Sequence, residues 1–246
     1  MTGHHRAEFA RRGWFVFPDY FRADEVEQML AWTGEVFARA EPVGSRMVYC
    51  ESSTGDGTIP LIRRIERFCD GHKGFEKLLR YGRQVGIVEL FLGGSALLFK
   101  EKINSKFPGG SGYGIHQDQQ AGWTAFAPIF ITAMICLDEI GTENGGFLIA
   151  NSRRCPYLLA GEWNNLSDEQ VASCEMLDLH LKPGDLLLFD SFVPHGSGPN
   201  PSSNVRRALF ATYNAADFGD HRTSYFKLKG TSAPPLKAWP ESVPLE

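Results

Sequence analysis

Residues 112 to 123 read GYGIHQDQQAGW, a histidine and an aspartate two positions apart in a glycine-rich stretch that follows a strand-like run. In an extended chain residues i and i+2 point to the same side, so His116 and Asp118 face one interior. Downstream, FDSFVPHGSGPN places His195 just after the apolar run DLLLFD, with proline and glycine bending the chain around it. Two imidazoles and one carboxylate bind one face of an octahedral metal and leave three adjacent positions for other ligands, the arrangement of non-haem Fe(II) oxygenases. A lone His-x-Asp occurs often by chance. Specificity comes from Arg206, which opens the run RRALFATYN and can reach back into the same interior. A guanidinium fork takes a carboxylate through two charge-assisted hydrogen bonds.

Other residues belong to the same reading. The run LFKEKINSK alternates, with Lys100, Lys102, Asn104 and Lys106 on one face and Phe99, Glu101 and Ile103 on the other. Lysines on one strand face are commonly solvated. If this face turns inward, an unpaired buried ammonium is costly, and at least one lysine should meet an anion. Lys102 is expected to matter more than Lys106. Thr132, in ITAMICLD, and Ser197, two residues past His195, offer hydroxyls to a ligand, although a buried Thr satisfied by backbone is an equal reading. Trp123 and Phe126 wall a pocket or belong to plain core. Gln119 is a candidate substrate contact, whereas Gln117 faces away from Asp118 and reads as structural. His4, His5, His72, His180 and His221 have no matching partners, and Asn144-Gly145 is most simply a turn.

The elements that must position these residues follow from pattern. The 246 residues are 43% hydrophobic and 22% charged, enough for one sizeable core, and one domain over 1–246 is expected. With 25 basic against 29 acidic residues, the net charge of −4 is too mild to recruit nucleic acid or an anionic membrane, which leaves a small molecule as the partner. The five cysteines are scattered and never form a CxxC pair, as suits a reducing cytoplasm. No apolar run approaches the ~20 residues of a membrane span, and the N-terminus lacks a signal-peptide core. A short helix is expected over 5–12, broken at Gly13. A second begins near Asp24, read as an N-cap with Glu27 three residues on, and buries Val26, Met29, Leu30, Thr33, Val36 and Phe37. Residues 44 to 60 read as a mobile loop or lid, 61 to 90 as helical, and the tail from Ala233 as irregular. Helical and loop elements thus lie mostly in 1–93. From about 94 to 216, short strands separated by turns predict a sandwich or barrel, α+β and mainly β, with the helices packed outside.

The blocks RRGWFVFPDYFRADEVEQM, KEKINSKFPGGSGYGIHQD, ITAMICLDEIGTENGGFLIANS, LKPGDLLLFDSFVPHGSGPNPSSNVRRALFATYN and GDHRTSYF, in that order, resemble the phytanoyl-CoA dioxygenase family of Fe(II)/2-oxoglutarate oxygenases over most of the chain. The resemblance implies a double-stranded β-helix (jelly-roll, cupin-like) core, with iron held by His116, Asp118 and His195. Arg206 would hold the distal carboxylate of 2-oxoglutarate, with Arg207 as competitor, and Thr132, Ser197, Lys102 and Asn104 would complete the cosubstrate site. Lys100, Gln119 and Trp123 are left for the substrate. Two departures concern substrate choice: Ala150-Asn151-Ser152-Arg153 replaces a Pro-Gly-Ser-His turn, and Gln119-Gln120 replace the small and aromatic residues that usually follow the aspartate. The implied reaction decarboxylates 2-oxoglutarate with O2 to succinate and CO2 and oxidises a substrate C–H bond. A carboxylate at 118, where halogenating relatives have Ala or Gly, argues for hydroxylation. The subgroup resembled acts on compact anionic or zwitterionic compounds such as aminoalkylphosphonates, and some relatives tailor natural products. The alternatives are a cupin-type metal lyase or isomerase, which has no need of Arg206, and a ligand-binding relative that has lost turnover.

Overall fold

The structure is a computed structural model that describes residues 3–38, 46–52, 60–151 and 156–232. Its frame is two antiparallel sheets. The larger orders its strands β1-β9-β6-β11-β4-β3-β2, from β1 (Trp14–Phe17), β2 (Met47–Ser52), β3 (Pro60–Glu66), β4 (Ala96–Lys106), β6 (Ile131–Cys136), β9 (Leu186–Asp190) and β11 (Arg206–Ala215). The smaller orders β5-β10-β7-β8, from β5 (Tyr113–His116), β7 (Leu148–Ala150), β8 (Met176–Asp178) and β10 (His195–Ser197).

Alternation explains the layers. Met134, Phe189 and Phe210 of the large sheet meet Ile149 of the small one in a shared apolar cluster. The next residues along the same strands, Ile135, Leu188 and Leu209, point the other way, into a cluster with Met29, Phe75 and Val88. Those three come from α2 (Ala23–Ala38), α3 (Lys73–Tyr81) and α4 (Arg83–Leu92); α1 (Gly3–Arg12) precedes β1, and α5 (Asp168–Ala172) lies just before β8. Two facing antiparallel sheets with helices on the outside of one make the jelly-roll, double-stranded β-helix core that was expected, α+β and mainly β. Among the described residues, no helix is long and apolar enough to cross a membrane.

Three expectations need correction. Residues 61 to 66 are not helical: β3 pairs with both β2 and β4. LIRRIE suits either period, and the neighbouring strands decide it. The stretch from 44 to 60 is not all loop, since β2 fills 47–52; the rest of that segment lies outside the described residues apart from Arg46 and Pro60, as do the tail from 233 and Ser152 and Arg153 of the departing turn. Asp24 sits within the first turn of α2 rather than at its cap, and Glu25, not Glu27, accepts the Arg22 backbone N–H. The large sheet therefore draws three strands from the N-terminal part. The C-terminal α6 (Arg222–Ser232) is bound to it by two buried ion pairs, Arg222 with Glu101 of β4 and Lys229 with Glu66 of β3.

Candidate active site

β5 and β10 pair antiparallel with His116 opposite His195, so neighbouring strands present both imidazoles on one face. The strands approach closely enough that a Cβ at Gly196 would lie 2.6 Å from the Tyr113 carbonyl oxygen, and one at Gly112 would lie 2.5 Å from that of Ser197. Glycine is required there by backbone proximity. Past His116 the strand ends and a 3-10 turn, Asp118–Gln120, turns Asp118 back toward the histidines. Ligand atoms of His116, Asp118 and His195 all lie within 4.8 Å of one another.

Both imidazoles are set for metal. Nδ1 of His116 donates to the Gly114 carbonyl at 2.8 Å and Nδ1 of His195 to that of Val193 at 2.9 Å. This leaves each Nε2 as the lone-pair nitrogen facing Asp118, at 3.7 and 3.9 Å. A backbone carbonyl on the far nitrogen fixes tautomer and ring orientation, as in metal-ligating histidines. His195 is stacked on Phe147 at 5.8 Å and tilted against Phe189 at 4.6 Å. Burial, with His116 beside it, pushes His195 down to about 3, so it stays neutral near pH 7. Burial would push Asp118 up, but Lys102 and the histidines hold it well below the usual carboxylate range. One carboxylate and two imidazole nitrogens so close together fit a divalent cation.

The histidines border a cavity whose walls include Lys102, Asn104, Tyr113, Phe147, Ser197, Arg206 and Phe210. The KEKINSK face does turn inward: Lys100, Lys102, Asn104 and Lys106 alternate with Glu101, Ile103 and Ser105, and the opposite face packs under the helices. Arg206 and Arg207 split as alternation requires. Arg207 points out to Asp138 at 2.7 and 2.9 Å, while Arg206 is buried and donates to the Gly146 carbonyl at 2.5 Å. Among the described residues its Nε has no hydrogen-bond partner, and neither has Oδ1 of Asn104. Burial, with Lys100 and Arg64 nearby, pushes Lys102 down to about 8 in spite of Asp118.

Not every expected residue reaches the cavity. The Thr132 hydroxyl is bonded to that of Thr212 at 2.9 Å. Gln119 is committed to Ser191, Thr124 and the Ala127 carbonyl, so the turn after Asp118 is braced by it. Trp123 is buried against Phe99 and Phe130. Lys100 meets Tyr225 at 3.3 Å and Glu66 at 3.7 Å. None of these four is among the lining residues. Gln117 is structural, as read, holding the Phe192 carbonyl and the Leu159 N–H. Lys106, opposite Arg206 in the ladder, donates to the Ser197 hydroxyl at 2.8 Å and to the Gly198 carbonyl, and is not among the lining residues.

The phytanoyl-CoA dioxygenase (PhyH) family matches residues 9–208. The chain belongs to that family. The enzyme is 35% identical over 237 residues to the 2-aminoethylphosphonate dioxygenase of uncultured bacterium HF130_AEPn_1, covering 96% of this chain and 90% of that one. It is 33% identical over 221 residues to the methylphosphonate hydroxylase of Gimesia maris, covering 89% and 83%. EctD from S. alaskensis, solved with 2-oxoglutarate and 5-hydroxyectoine, shares the fold at a TM-score of 0.76 and 20% identity, covering 100% of this chain and 89% of that one. The enzyme is an iron- and 2-oxoglutarate-dependent dioxygenase.

Proposed function

We propose that the enzyme hydroxylates a C–H bond of a small anionic or zwitterionic molecule of the aminoalkylphosphonate kind, with His116, Asp118 and His195 holding Fe(II). The observation that carries this reading is that His116 and His195, whose ligand atoms cluster with that of Asp118, border the same cavity as Lys102, Arg206 and Asn104, and that among the described residues Arg206 Nε and Asn104 Oδ1 have no hydrogen-bond partner. Arg206, with Ser197 and Lys106 beside it, takes the distal carboxylate of 2-oxoglutarate. Lys102 and Asn104, which line the same cavity from one face of β4, take an anionic group. Iron and 2-oxoglutarate together supply the oxidising power, and the protein orients the target carbon and excludes water. Phe147, Phe189 and Phe210 serve that exclusion, since they surround His195 and the cavity floor with apolar surface.

The two phosphonate-oxidising relatives support the substrate class, and the surplus of lysine over acid on the inward face of β4 supports an anion. A metal lyase or isomerase would have no use for a buried Arg206. The unit that works is a single domain over 1–246, and its scattered cysteines, free at Cys50, Cys69, Cys136 and Cys174 among the described residues, suit the cytoplasm. The test is an anaerobic titration with Fe(II) and 2-oxoglutarate, followed in the visible charge-transfer band, then a panel of small phosphonates and carboxylates screened for substrate-stimulated succinate release. A band and stimulation by at least one phosphonate are expected; stimulation only by neutral apolar compounds would overturn the substrate class.

A further inference from the structure

Lys102 of β4 and Glu66 of β3 stand directly opposite each other in the antiparallel ladder. Side chains so placed have Cβ atoms about 4.5–5.5 Å apart, and opposite charges there ordinarily attract. These two form no ion pair. The Glu66 carboxylate is fully buried and instead binds Lys229 of α6 with both oxygens, at 2.7 and 2.6 Å, together with Arg64 at 2.8 Å and Lys100 at 3.7 Å. Lys102 lies 4.7 Å from the Phe210 ring and feels the charge of Asp118, but among the described residues it makes no hydrogen bond or ion pair. Burial would push the Glu66 carboxyl up, but Lys100, Lys229 and Arg64 hold it well below the usual carboxylate range. Glu66 is thus ionised, in reach of Lys102, and drawn aside.

Charge balance does not call for Lys229. Arg64 and Lys100 already outnumber the one carboxylate, and burying a third cation carries a desolvation penalty. Lys229 also comes from a helix beyond residue 208, where the family match ends. We propose that Lys229 is a positioning residue that holds the Glu66 carboxylate away from Lys102, keeping the Lys102 ammonium free for an anionic group of the ligand bound in the cavity. This rests on the reading of the cavity as the ligand site and adds the residue that keeps its anion receptor open. A Glu66–Lys102 pair would compete with any incoming carboxylate or phosphonate. Asp118 is no substitute partner once it shares its charge with a metal dication.

The test has two readouts. In a crystal structure of Lys229→Met, the Glu66 carboxylate is expected within about 4 Å of Lys102 Nζ. Anaerobic calorimetry of the Fe(II) protein, first with 2-oxoglutarate and then with methylphosphonate, should show one of the two binding about tenfold more weakly; the one affected tells whether Lys102 serves cosubstrate or substrate. Lys229→Arg should stay near wild type, and Lys229→Met/Glu66→Gln should recover the lost affinity. A merely structural tie between α6 and β3 would not be recovered, because the double variant lacks it too. If Lys229→Met does not fold, Lys229→Gln is measured in the same two ways. The proposal is overturned if Glu66 stays in place, if both anions bind Lys229→Met as they bind wild type, or if the double variant remains weak. Absence of a charge-transfer band in the wild type would refute the reading of the cavity, whereas the position of Glu66 in the variant would still decide this inference.

Discussion

Arg206 and Arg207 have the same chemistry and opposite duties because successive strand residues face opposite sides. Arg207 is half-exposed and held by Asp138, whereas Arg206 is buried with an unsatisfied Nε at the cavity. Arg206→Ala should therefore raise the 2-oxoglutarate requirement by about 30-fold to several thousandfold, the equivalent of roughly 2–5 kcal/mol for a buried charge pair left unpaired. Arg207→Ala should change it little, and titrating the charge-transfer band in each variant reads the difference. Lys106 adds a pH dependence. Burial, with Arg206 and Arg63, pushes it down to about 7, so above that pH the ligand-free protein must take up a proton to present an ammonium. Affinity for 2-oxoglutarate should fall as pH rises from 6 to 8.5, and Lys106→Met should flatten that profile while weakening binding at pH 6. A profile unchanged by the substitution would remove Lys106 from the cosubstrate end.

At the scale of elements, β4 is buried on both faces yet polar on one, an inconsistency that sheets tolerate where a site is built. Of its inward lysines Lys102 lines the cavity and Lys100 meets Tyr225 and Glu66, while Glu101 anchors α6. Glu101 is fully buried, donated to by the Cys69 backbone N–H at 2.7 Å and by Arg222, whose Nη2 lies at 3.0 Å. Removing one partner of such a pair leaves an uncompensated buried charge, at a cost of roughly 3–5 kcal/mol. Arg222→Met should lower unfolding stability by about that amount in urea, and Arg222→Met/Glu101→Gln should recover most of it. A loss below about 1 kcal/mol, the usual worth of a surface pair, would mean that α6 is held by its apolar contacts alone.

For the whole molecule, ligand and proton linkage are the measurable quantities. Fe(II) and 2-oxoglutarate bind only the assembled site, so at about 100 times their Kd they should add about 2.7 kcal/mol. At roughly 2–4 °C per kcal/mol for a chain of this size, the anaerobic Tm should rise several degrees. His195→Ala should lose that rise while keeping the ligand-free Tm close to wild type, since the fold rests on apolar burial between and outside the sheets. Acid should act through Asp118, Glu66 and Asp70, all of which are held below their ordinary values in the fold. Such groups bind protons less readily folded than unfolded. Their contribution is complete above the ordinary carboxylate range and is lost as pH falls below about 4. Urea midpoints that stay level from pH 7 to 3 would contradict this.

The chemistry of the site was legible in the chain because its signals are local. His116 and Asp118 lie two residues apart, Ser197 two beyond His195, and the alternation of KEKINSK and of Arg206-Arg207 is a property of any strand. The apolar runs of β6, β9 and β11 likewise announced a β-rich core without reference to one another. What only the tertiary structure decided are matters of pairing between distant segments. LIRRIE became a strand because β2 and β4 flank it, although its pattern also suits a helix. Thr132, Gln119, Trp123 and Lys100 turned from candidate ligand contacts into bracing because Thr212, Ser191, Phe130, Tyr225 and Glu66 arrive beside them from elsewhere in the chain. Lys229, 163 residues from Glu66 in sequence, carries no local mark. A hydrogen bond or ion pair depends on which side chains come within a few ångströms, and for residues so far apart that is settled by the packing of the sheets and helices rather than by spacing along the chain.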